Sequence, residues 1–413
     1  MPKRAFWVGL LFVVSITLSC IGWTPSAAAF SEQQKLFLQA WRIVNQAYLD
    51  ETFNDQNWWF VRQDFLKKQF SNREQTYEAI EGMLASLDDP FTRLLKPEQY
   101  RSLQVSTSGE LSGVGLQINI NPETGNLEVV TPLPGSPAEE AGIKPRDRIL
   151  AIDHTETQDL TLDEAATRMR GSIGSQVTLT IKSQGEDRSS AREVEIVRDR
   201  ISLNPVYANL DQQSSNVPIG YIRLTQFSAN ATKEVSHAVA RLEKQGAKGY
   251  LLDLRNNPGG LLQAGIEIAR LWLDQGTIVY TVTRNGVEGS FDANGSALTK
   301  GSLVVLVNQG TASASEILAG ALQDNARAQL VGEKTFGKGL IQSLFELPGD
   351  SGIAVTVAKY ETPNHTDIHE SGIIPNLAVP QDPISLDQIG TEADQQYQEA
   401  IKLLTADSVV ASH

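Results

Sequence analysis

Cysteine is almost missing from this chain of 413 residues, because the single cysteine, Cys20, lies close to the amino terminus. Beyond that position the sequence can form neither a disulfide framework nor a thiol nucleophile. Acylation of Cys20, as in a lipoprotein, is disfavoured because Thr17 stands where such a signal has an aliphatic residue. We therefore expect no cysteine chemistry in the mature protein.

Positive charge is also in short supply. Only 35 lysines and arginines face 49 aspartates and glutamates, and the net charge is −14. A surface of this sign repels phosphate backbones and anionic lipid headgroups alike. Neither nucleic-acid binding nor electrostatic attachment to a membrane is expected.

Long apolar runs are lacking after residue 29. The opening segment has Lys3 and Arg4, then an apolar stretch at 5–22, then three alanines at 27–29 before Phe30. This order is typical of a cleaved export signal. We therefore expect the mature chain to begin at Phe30 and to be exported. No later segment has the apolar length of a membrane span.

Apolar residues make up 41% of the chain, enough to bury the cores of two or three domains. Periodicity predicts a helical region at 30–105 and a small domain of strands and Gly-Pro turns at 106–198. Residues 199–380 alternate strand and helix, as an α/β core does, and 381–413 predict a helical tail.

The most informative segment runs from Thr311 to Gln342. An apolar run at 303–307 predicts a buried strand, and helical spacing predicts a helix soon after it. Ser313 therefore falls at a helix amino terminus, where free N–H groups and the helix dipole stabilise an oxyanion. A serine nucleophile needs a base. Lys338, between Gly337 and Gly339, can serve if burial lowers its pKa enough.

The same residues have a plainer interpretation. Ser313 and Glu316 form an S-x-x-E capping box, which usually only starts a helix. Ser315 and Lys334 lie in similar settings and compete for the same roles. Spacing alone leaves these alternatives open.

Two glycine-rich turns are further candidates. The first, RNNPGG at 255–260, follows a predicted strand, and either Gly259 or Gly260 can bring an N–H towards an oxyanion without a side-chain clash. Its alternative is an ordinary turn that starts a helix.

The second turn comprises Gly113, Val114, Gly115 and Leu116. Its successive N–H groups suit the terminal carboxylate of a peptide, and Leu116 with Ile118 offers an edge strand for β-augmentation. An ordinary glycine turn remains possible, and dinucleotide binding is weak because the third spaced glycine is missing.

The segment around Ser313 and Lys338 resembles the signature of the C-terminal processing proteases, also called tail-specific proteases, which use a Ser-Lys dyad. Residues 112–118, together with PGSPAEEAGIKPRDRILAID at 134–153, resemble the circularly permuted PDZ domain of these proteases. The helical region before it looks closest to the photosynthetic branch, which trims the photosystem II reaction-centre precursor.

The resemblance implies an α/β protease core of ClpP/crotonase type, with an all-helical amino-terminal region and a PDZ domain. It implies that Ser313 is the nucleophile, that Lys338 is the base, and that Gln342 supports the lysine. Asp324 becomes a structural helix acid. Ala314 shares the oxyanion hole with Gly259 or Gly260.

The same resemblance implies no cofactor, no metal and a protein substrate with a free carboxyl terminus. Membrane-protein tails exposed to the periplasm or thylakoid lumen fit best, and the oligomeric state is left open. General tail-specific quality control is an alternative to precursor processing.

Other classes of function are disfavoured. None of the five histidines marks a Ser-His triad. His365 and His369 have metal-like spacing, but Pro363 before them predicts a turn. A non-catalytic PDZ adaptor is disfavoured by the presence of both Ser313 and Lys338. A crotonase-type acyl transferase acting on a coenzyme A ester is disfavoured by export and by the PDZ-like segment.

Overall fold

The computed structural model describes residues 30–68, 70–183, 190–212 and 217–410. The predicted export signal at 1–29 and Cys20 lie outside this described part. The chain divides into two compact units, Met1–Pro97 with Gln342–Thr356, and Glu98–Ile341 with Val357–His413. None of the helices in the described ranges is long and apolar enough to cross a membrane.

In its described residues before Pro97, the first unit contains three helices and a short strand: α1 (Glu32–Ala47), α2 (Trp58–Leu66), α3 (Arg73–Ala85) and β1 (Arg93–Leu95). Helix α1 starts at Ser31, whose side chain and that of Gln34 cap each other's backbone N–H groups. Phe37 and Ile80 are wholly buried, as their helical spacing predicts.

The prediction that this region is all-helical is wrong. Strand β1 pairs antiparallel with residues 352–354 of the same unit. Local periodicity does not reveal a strand of three residues, because the hydrogen bonds that form it come from a partner far along the chain.

The next segment forms a small β domain with short helices. Its elements are α4 (Pro97–Ser108), β2 (Glu110–Gly113), β3 (Leu116–Ile120), β4 (Leu127–Pro132), α5 (Pro137–Glu140), β5 (Arg148–Ile152), β6 (Thr155–Glu156), α6 (Leu162–Met169), β7 (Gln176–Lys182), β8 (Arg192–Val197) and β9 (Asp199–Ser202). The sheet has the order β3-β4-β5-β7-β8, with β6 on β5. Strands β2 and β9 pair where the chain enters and leaves the domain. Helix α4 runs across residue 105, the predicted domain boundary.

The remaining segment combines strands and helices, but the predicted alternation holds only in part, because residues 277–307 and 329–378 each form successive strands with no helix between them. Its elements are β10 (Val206–Asp211), β11 (Ile219–Leu224), α7 (Ala231–Lys244), β12 (Gly249–Asp253), α8 (Leu262–Arg270), β13 (Thr277–Thr283), β14 (Gly286–Asp292), β15 (Ser302–Val307), α9 (Ala314–Asp324), β16 (Gln329–Gly332), β17 (Leu340–Leu347), β18 (Ser351–Glu361), β19 (Leu377–Ala378), a 3₁₀ turn (Leu386–Gln388) and α10 (Gln395–Val410). The main sheet has the order β10-β11-β12-β15-β16-β19 and is parallel from β11 onward.

Both faces of the main sheet are covered. Leu252 and Val305 belong to one core with helices α7, α8 and α9. Leu251 and Val304, the alternate residues, pack with helix α10 on the other face. Parallel sheets need this double cover, and the continuous apolar runs of β12 and β15 follow from it.

Three loops meet at one edge of this sheet. Strands β12, β15 and β16 are parallel neighbours, so their carboxyl ends lie side by side. The loops that follow carry Gly259, Ser313 and Lys338 respectively. Ligand sites of open α/β sheets lie at this edge.

Candidate active site

Ser313 occupies the position just before helix α9. Its backbone has φ 58° and ψ −119°, a conformation that residues with a side chain rarely adopt. The Ser313 N–H donates to Glu316 Oε2 at 2.9 Å, and the Ser313 C=O accepts from the Glu316 N–H at 2.8 Å. These contacts hold the strained turn and leave the Ser313 side chain half-buried at the start of the helix.

Glu316 joins the serine loop to the lysine loop. Its Oε2 accepts the N–H of Lys338 at 2.8 Å as well as that of Ser313. Its Oε1 accepts the N–H of Gly337 at 2.8 Å and the hydroxyl of Thr335 at 2.5 Å. Four donors compensate the desolvation of this fully buried side chain. The S-x-x-E pattern predicts only the helix cap and does not predict the contacts with the lysine loop.

Lys338 lies half-buried between two glycines that the fold requires. Gly337 has φ 90°, and a Cβ there would lie 2.9 Å from the Gly372 nitrogen. A Cβ on Gly339 would lie 2.8 Å from the His369 nitrogen. The loop therefore packs against residues 369–372 through its backbone, which the two glycines permit.

Tyr360 makes a second link between the two loops. Its hydroxyl lies 3.0 Å from the carbonyl oxygen of Ser313 and 2.8 Å from that of Lys338. Burial, reinforced by the negative charge of Glu316, raises the pKa of Tyr360 well above its usual value. The phenol therefore stays protonated and acts as a donor. No local motif in the sequence points to it.

The glycine turn 255–260 packs directly against Ser313. A Cβ on Gly259 would lie 2.6 Å from the Ala312 carbonyl oxygen and 2.9 Å from Ser313 Cβ, so only glycine fits. The Gly259 N–H donates to Asn257 Oδ1 at 2.9 Å, and its C=O accepts from the Phe227 N–H at 2.9 Å. Both backbone groups of Gly259 are thus engaged.

Gly260 differs from Gly259 in this respect. It is exposed, and no hydrogen bond among the described residues uses its N–H. Because the peptide bond is trans, this N–H points opposite to the Gly259 C=O, away from Phe227. The N–H of Ala314, the first helical residue, likewise has no acceptor in the described part of the chain.

A buried ionic network anchors the start of this turn. Arg255 donates to Asp253 from Nε at 3.0 Å and from Nη2 at 2.7 Å. It donates to Asp394 from Nη1 and from Nη2, each at 2.8 Å. Although burial opposes its charge, hydrogen bonds to Asp394 and Asp253 raise the pKa of Arg255. Burial would raise the pKa of Asp394, but the Arg255 contacts lower it. Tyr221 adds a hydroxyl donor to Asp253 at 2.8 Å. This network was not predicted.

The competing serine and lysine occupy different environments. Ser315 is fully buried, and its hydroxyl donates to the Asn257 carbonyl at 3.0 Å, which fastens the glycine turn to helix α9. Lys334 is exposed. Ser315 is therefore enclosed by structural contacts, whereas Ser313 faces the turn.

Asp324 and Gln342 make contacts with other residues. Asp324 ends helix α9, and its Oδ2 accepts the Asn364 N–H at 3.0 Å. Gln342 belongs to the other compact unit, where its Nε2 lies 3.4 Å from Thr356 Oγ1.

The histidine pair lies in a turn, as Pro363 predicts. His365 Nδ1 lies 3.1 Å from Glu361 Oε2. The His365 ring stacks on that of Tyr280, with the ring centroids 4.0 Å apart. Across the ranges that the structure describes, no three His, Cys, Asp or Glu side chains form a metal-binding group.

The predicted peptide-binding loop connects β2 to β3. The Gly115 C=O accepts from Ser136 Oγ at 3.1 Å and from the Leu133 N–H at 2.9 Å. Gly115 has φ 80°, and a Cβ there would lie 2.3 Å from Ser136 Cβ. Strand β3, which starts at Leu116, pairs with β4 alone among the described strands and packs beside helix α6. Val114 is buried, and Gly113 pairs with Asp199.

Two families of known sequence match the chain. Residues 218–379 match Peptidase family S41, and residues 128–183 match a PDZ domain. The first match contains the serine and lysine loops, and the second lies within the small β domain.

Whole-length relatives agree with these matches. A carboxyl-terminal-processing protease of Synechocystis is 64% identical over 99% of this chain and 95% of its own. The chloroplastic carboxyl-terminal-processing peptidase 2 of Arabidopsis thaliana is 47% identical over 91% and 74%. A solved structure described as a photosystem II D1 C-terminal processing protease has 39% identity and a TM-score of 0.57, covering 89% of this chain and 100% of that one.

Proposed function

Because the chain belongs to peptidase family S41 and is a serine protease of the carboxyl-terminal-processing type, we propose that Ser313 and Lys338 form its catalytic dyad. What supports the assignment best is that Glu316 Oε2 accepts the backbone N–H groups of both residues. The half-buried setting of both side chains, against the full burial of Ser315 and the exposure of Lys334, supports it further.

The reaction then proceeds by acyl transfer. The neutral amine of Lys338 takes the proton of Ser313 Oγ, and the oxygen attacks the scissile carbonyl carbon. The tetrahedral intermediate breaks its C–N bond, and the Lys338 ammonium returns the proton to the departing amine. Water, activated by the same lysine, then hydrolyses the ester on Ser313. The reaction needs no cofactor.

We assign the oxyanion hole to the N–H groups of Gly260 and Ala314. Gly259 is less suited as a donor because its N–H already donates to Asn257. Its role is to let the turn approach Ser313 without a side chain between them. Donors that are fixed before the reaction stabilise the developing charge without reorganisation.

Asp324 and Gln342 take supporting roles in this proposal. The contact of Asp324 with Asn364 suits a structural acid that fastens the turn after β18 to the end of helix α9. Gln342 is the polar residue that supports the lysine.

The PDZ domain would recognise the substrate's free carboxyl terminus. The loop at Gly113–Leu116 and the open edge of β3 beside α6 suit a peptide that adds as a further strand. Leu116 and Ile118 pack partly into the domain core at this edge, which favours apolar tails.

The physiological substrate we propose is the precursor of the photosystem II reaction-centre protein. The solved relative is described as a photosystem II D1 C-terminal processing protease, and the match covers 100% of that relative's chain. We further propose export, cleavage of the signal near Ala29, and a location in the periplasm or thylakoid lumen. The ClpP/crotonase-type core and the circular permutation of the PDZ domain are parts of the same proposal.

The decisive experiment compares the mature protein with its Ser313→Ala and Ser315→Ala variants on precursor and unrelated protein tails. Mass spectrometry of the products maps each new carboxyl terminus. We expect cleavage by wild type and Ser315→Ala and none by Ser313→Ala. Activity in Ser313→Ala would refute the dyad, and equal cleavage of all tails would favour general quality control.

A further inference from the structure

The hydroxyl of Tyr360 touches both halves of the dyad, but only through their backbones. It lies 3.0 Å from the Ser313 carbonyl oxygen and 2.8 Å from that of Lys338. A phenol carries one proton, so the two carbonyls share a single donor. The contact cannot take part in proton transfer, because neither reacting side-chain atom is involved.

Tyr360 is itself held firmly. Its ring is 1% exposed and lies in the main hydrophobic core. Its N–H donates to the Gly339 carbonyl at 3.0 Å, and its strand pairs Tyr360 with Thr281. The hydroxyl therefore has a fixed position relative to strand β13 and to the backbone of Gly339.

Glu316 and Tyr360 act on opposite groups of the same two residues. Glu316 Oε2 accepts both N–H groups, and the Tyr360 hydroxyl reaches both carbonyl oxygens. Glu316 Oε1 also accepts the Gly337 N–H, so Glu316 holds the N–H side of both loops. The Tyr360 hydroxyl adds a restraint on the carbonyl side of the same two residues, which a carboxylate cannot hold because it has no proton to donate.

We propose that Tyr360 is a positioning residue, whose hydroxyl fixes the spacing between the serine loop, which carries Ser313, and the lysine loop, which carries Lys338. The inference rests on the dyad of Ser313 and Lys338 proposed above. A general base must lie about 2.6–3.2 Å from the proton-bearing oxygen. A misplacement of about 1 Å can lower the rate about 100-fold.

Tyr360→Phe removes the oxygen and leaves the buried ring in place. We expect kcat for a short peptide to fall about 10- to 100-fold and KM to change less than about 2-fold. Labelling of Ser313 by a small serine-directed fluorophosphonate should slow in parallel, since that reagent needs the dyad but no peptide-binding subsite.

Tyr250→Phe is the matched control. Tyr250 is also 1% exposed in the same core, and its ring packs on Trp272 rather than on the dyad. This variant should keep kcat within about 2-fold of wild type, with a melting temperature no lower than that of Tyr360→Phe, which loses two hydrogen-bond contacts.

Two outcomes would overturn the proposal: wild-type kcat in folded Tyr360→Phe, or an equal loss of kcat in both tyrosine variants. If Tyr360→Phe does not fold, 4-aminophenylalanine at position 360 keeps a donor there. It should retain most activity, and a folded but inactive protein would contradict the inference. Activity in Ser313→Ala would instead refute the dyad, whatever Tyr360 does.

Discussion

Replacing Asp394 with asparagine should destabilise the unit that contains the glycine turn. Asp394 is fully buried and accepts from both Arg255 nitrogens at 2.8 Å, from the Tyr397 N–H at 3.0 Å and from the Gly390 N–H at 3.1 Å. Asparagine removes the charge, and in either orientation its NH₂ group faces donors instead of accepting from them.

Removing one partner of a buried ion pair costs about 3–5 kcal/mol. Asp253 still balances Arg255 in this variant, so we expect a loss near the lower end, about 3 kcal/mol. Asp367→Asn is the control, because its pair with Lys359 is partly exposed and should be worth less than about 1 kcal/mol.

The assay is urea unfolding at neutral pH, followed by tryptophan fluorescence, to which the buried Trp272 contributes from the unit that contains the glycine turn. The pKa of Asp394 is lowered in the folded state. Its contribution is therefore full above the unfolded pKa of about 3.9 and is lost as pH falls through the folded pKa. Wild type should lose stability over that acid range more steeply than Asp394→Asn. An equal loss of stability in Asp394→Asn and Asp367→Asn would refute the reasoning. So would the same acid dependence of stability in wild type and Asp394→Asn.

Three further predictions concern the dyad and the PDZ domain. Ser313→Ala and Lys338→Ala should each abolish peptide cleavage and keep the fold. Ser315→Ala loses one buried hydrogen bond, so it should lower the free energy of unfolding by about 1–2 kcal/mol and retain activity. An inactive Ser315→Ala variant beside an active Ser313→Ala variant would reverse the assignment. Because Lys338 must be neutral to accept a proton, kcat/KM should rise from acid to alkaline pH, and a flat profile between about pH 5 and about pH 9 with rate-limiting chemistry would require another base. Amidation of a substrate's terminal carboxylate should weaken binding and slow cleavage by the intact enzyme, and equal rates for the amide and the free acid would remove the PDZ domain from tail recognition.

The sequence predicts most of the protease core because short-range patterns of apolar residues determine the strands and helices of that part of the fold. Continuous apolar runs produce the buried strands β12 and β15, and helical spacing places Ser313 just before α9. The loops at the strand ends then meet without further information, since neighbouring parallel strands end at one edge.

The contacts that adjust the site could not be predicted in this way. Tyr360 lies 47 residues from Ser313, and Asp394 lies 139 residues from Arg255. Strand β1 likewise depends on residues 352–354. Each depends on a pairing between distant segments, which leaves no periodicity in either segment alone.

The distance between Arg255 and Asp394 along the chain also sets an order of events. A ribosome makes the glycine turn well before it makes the carboxylate that completes the ionic network beneath it. Throughout that interval the guanidinium has only Asp253 of its two carboxylate partners. The ionic support of the glycine turn can therefore form only after 139 further residues have been added to the chain.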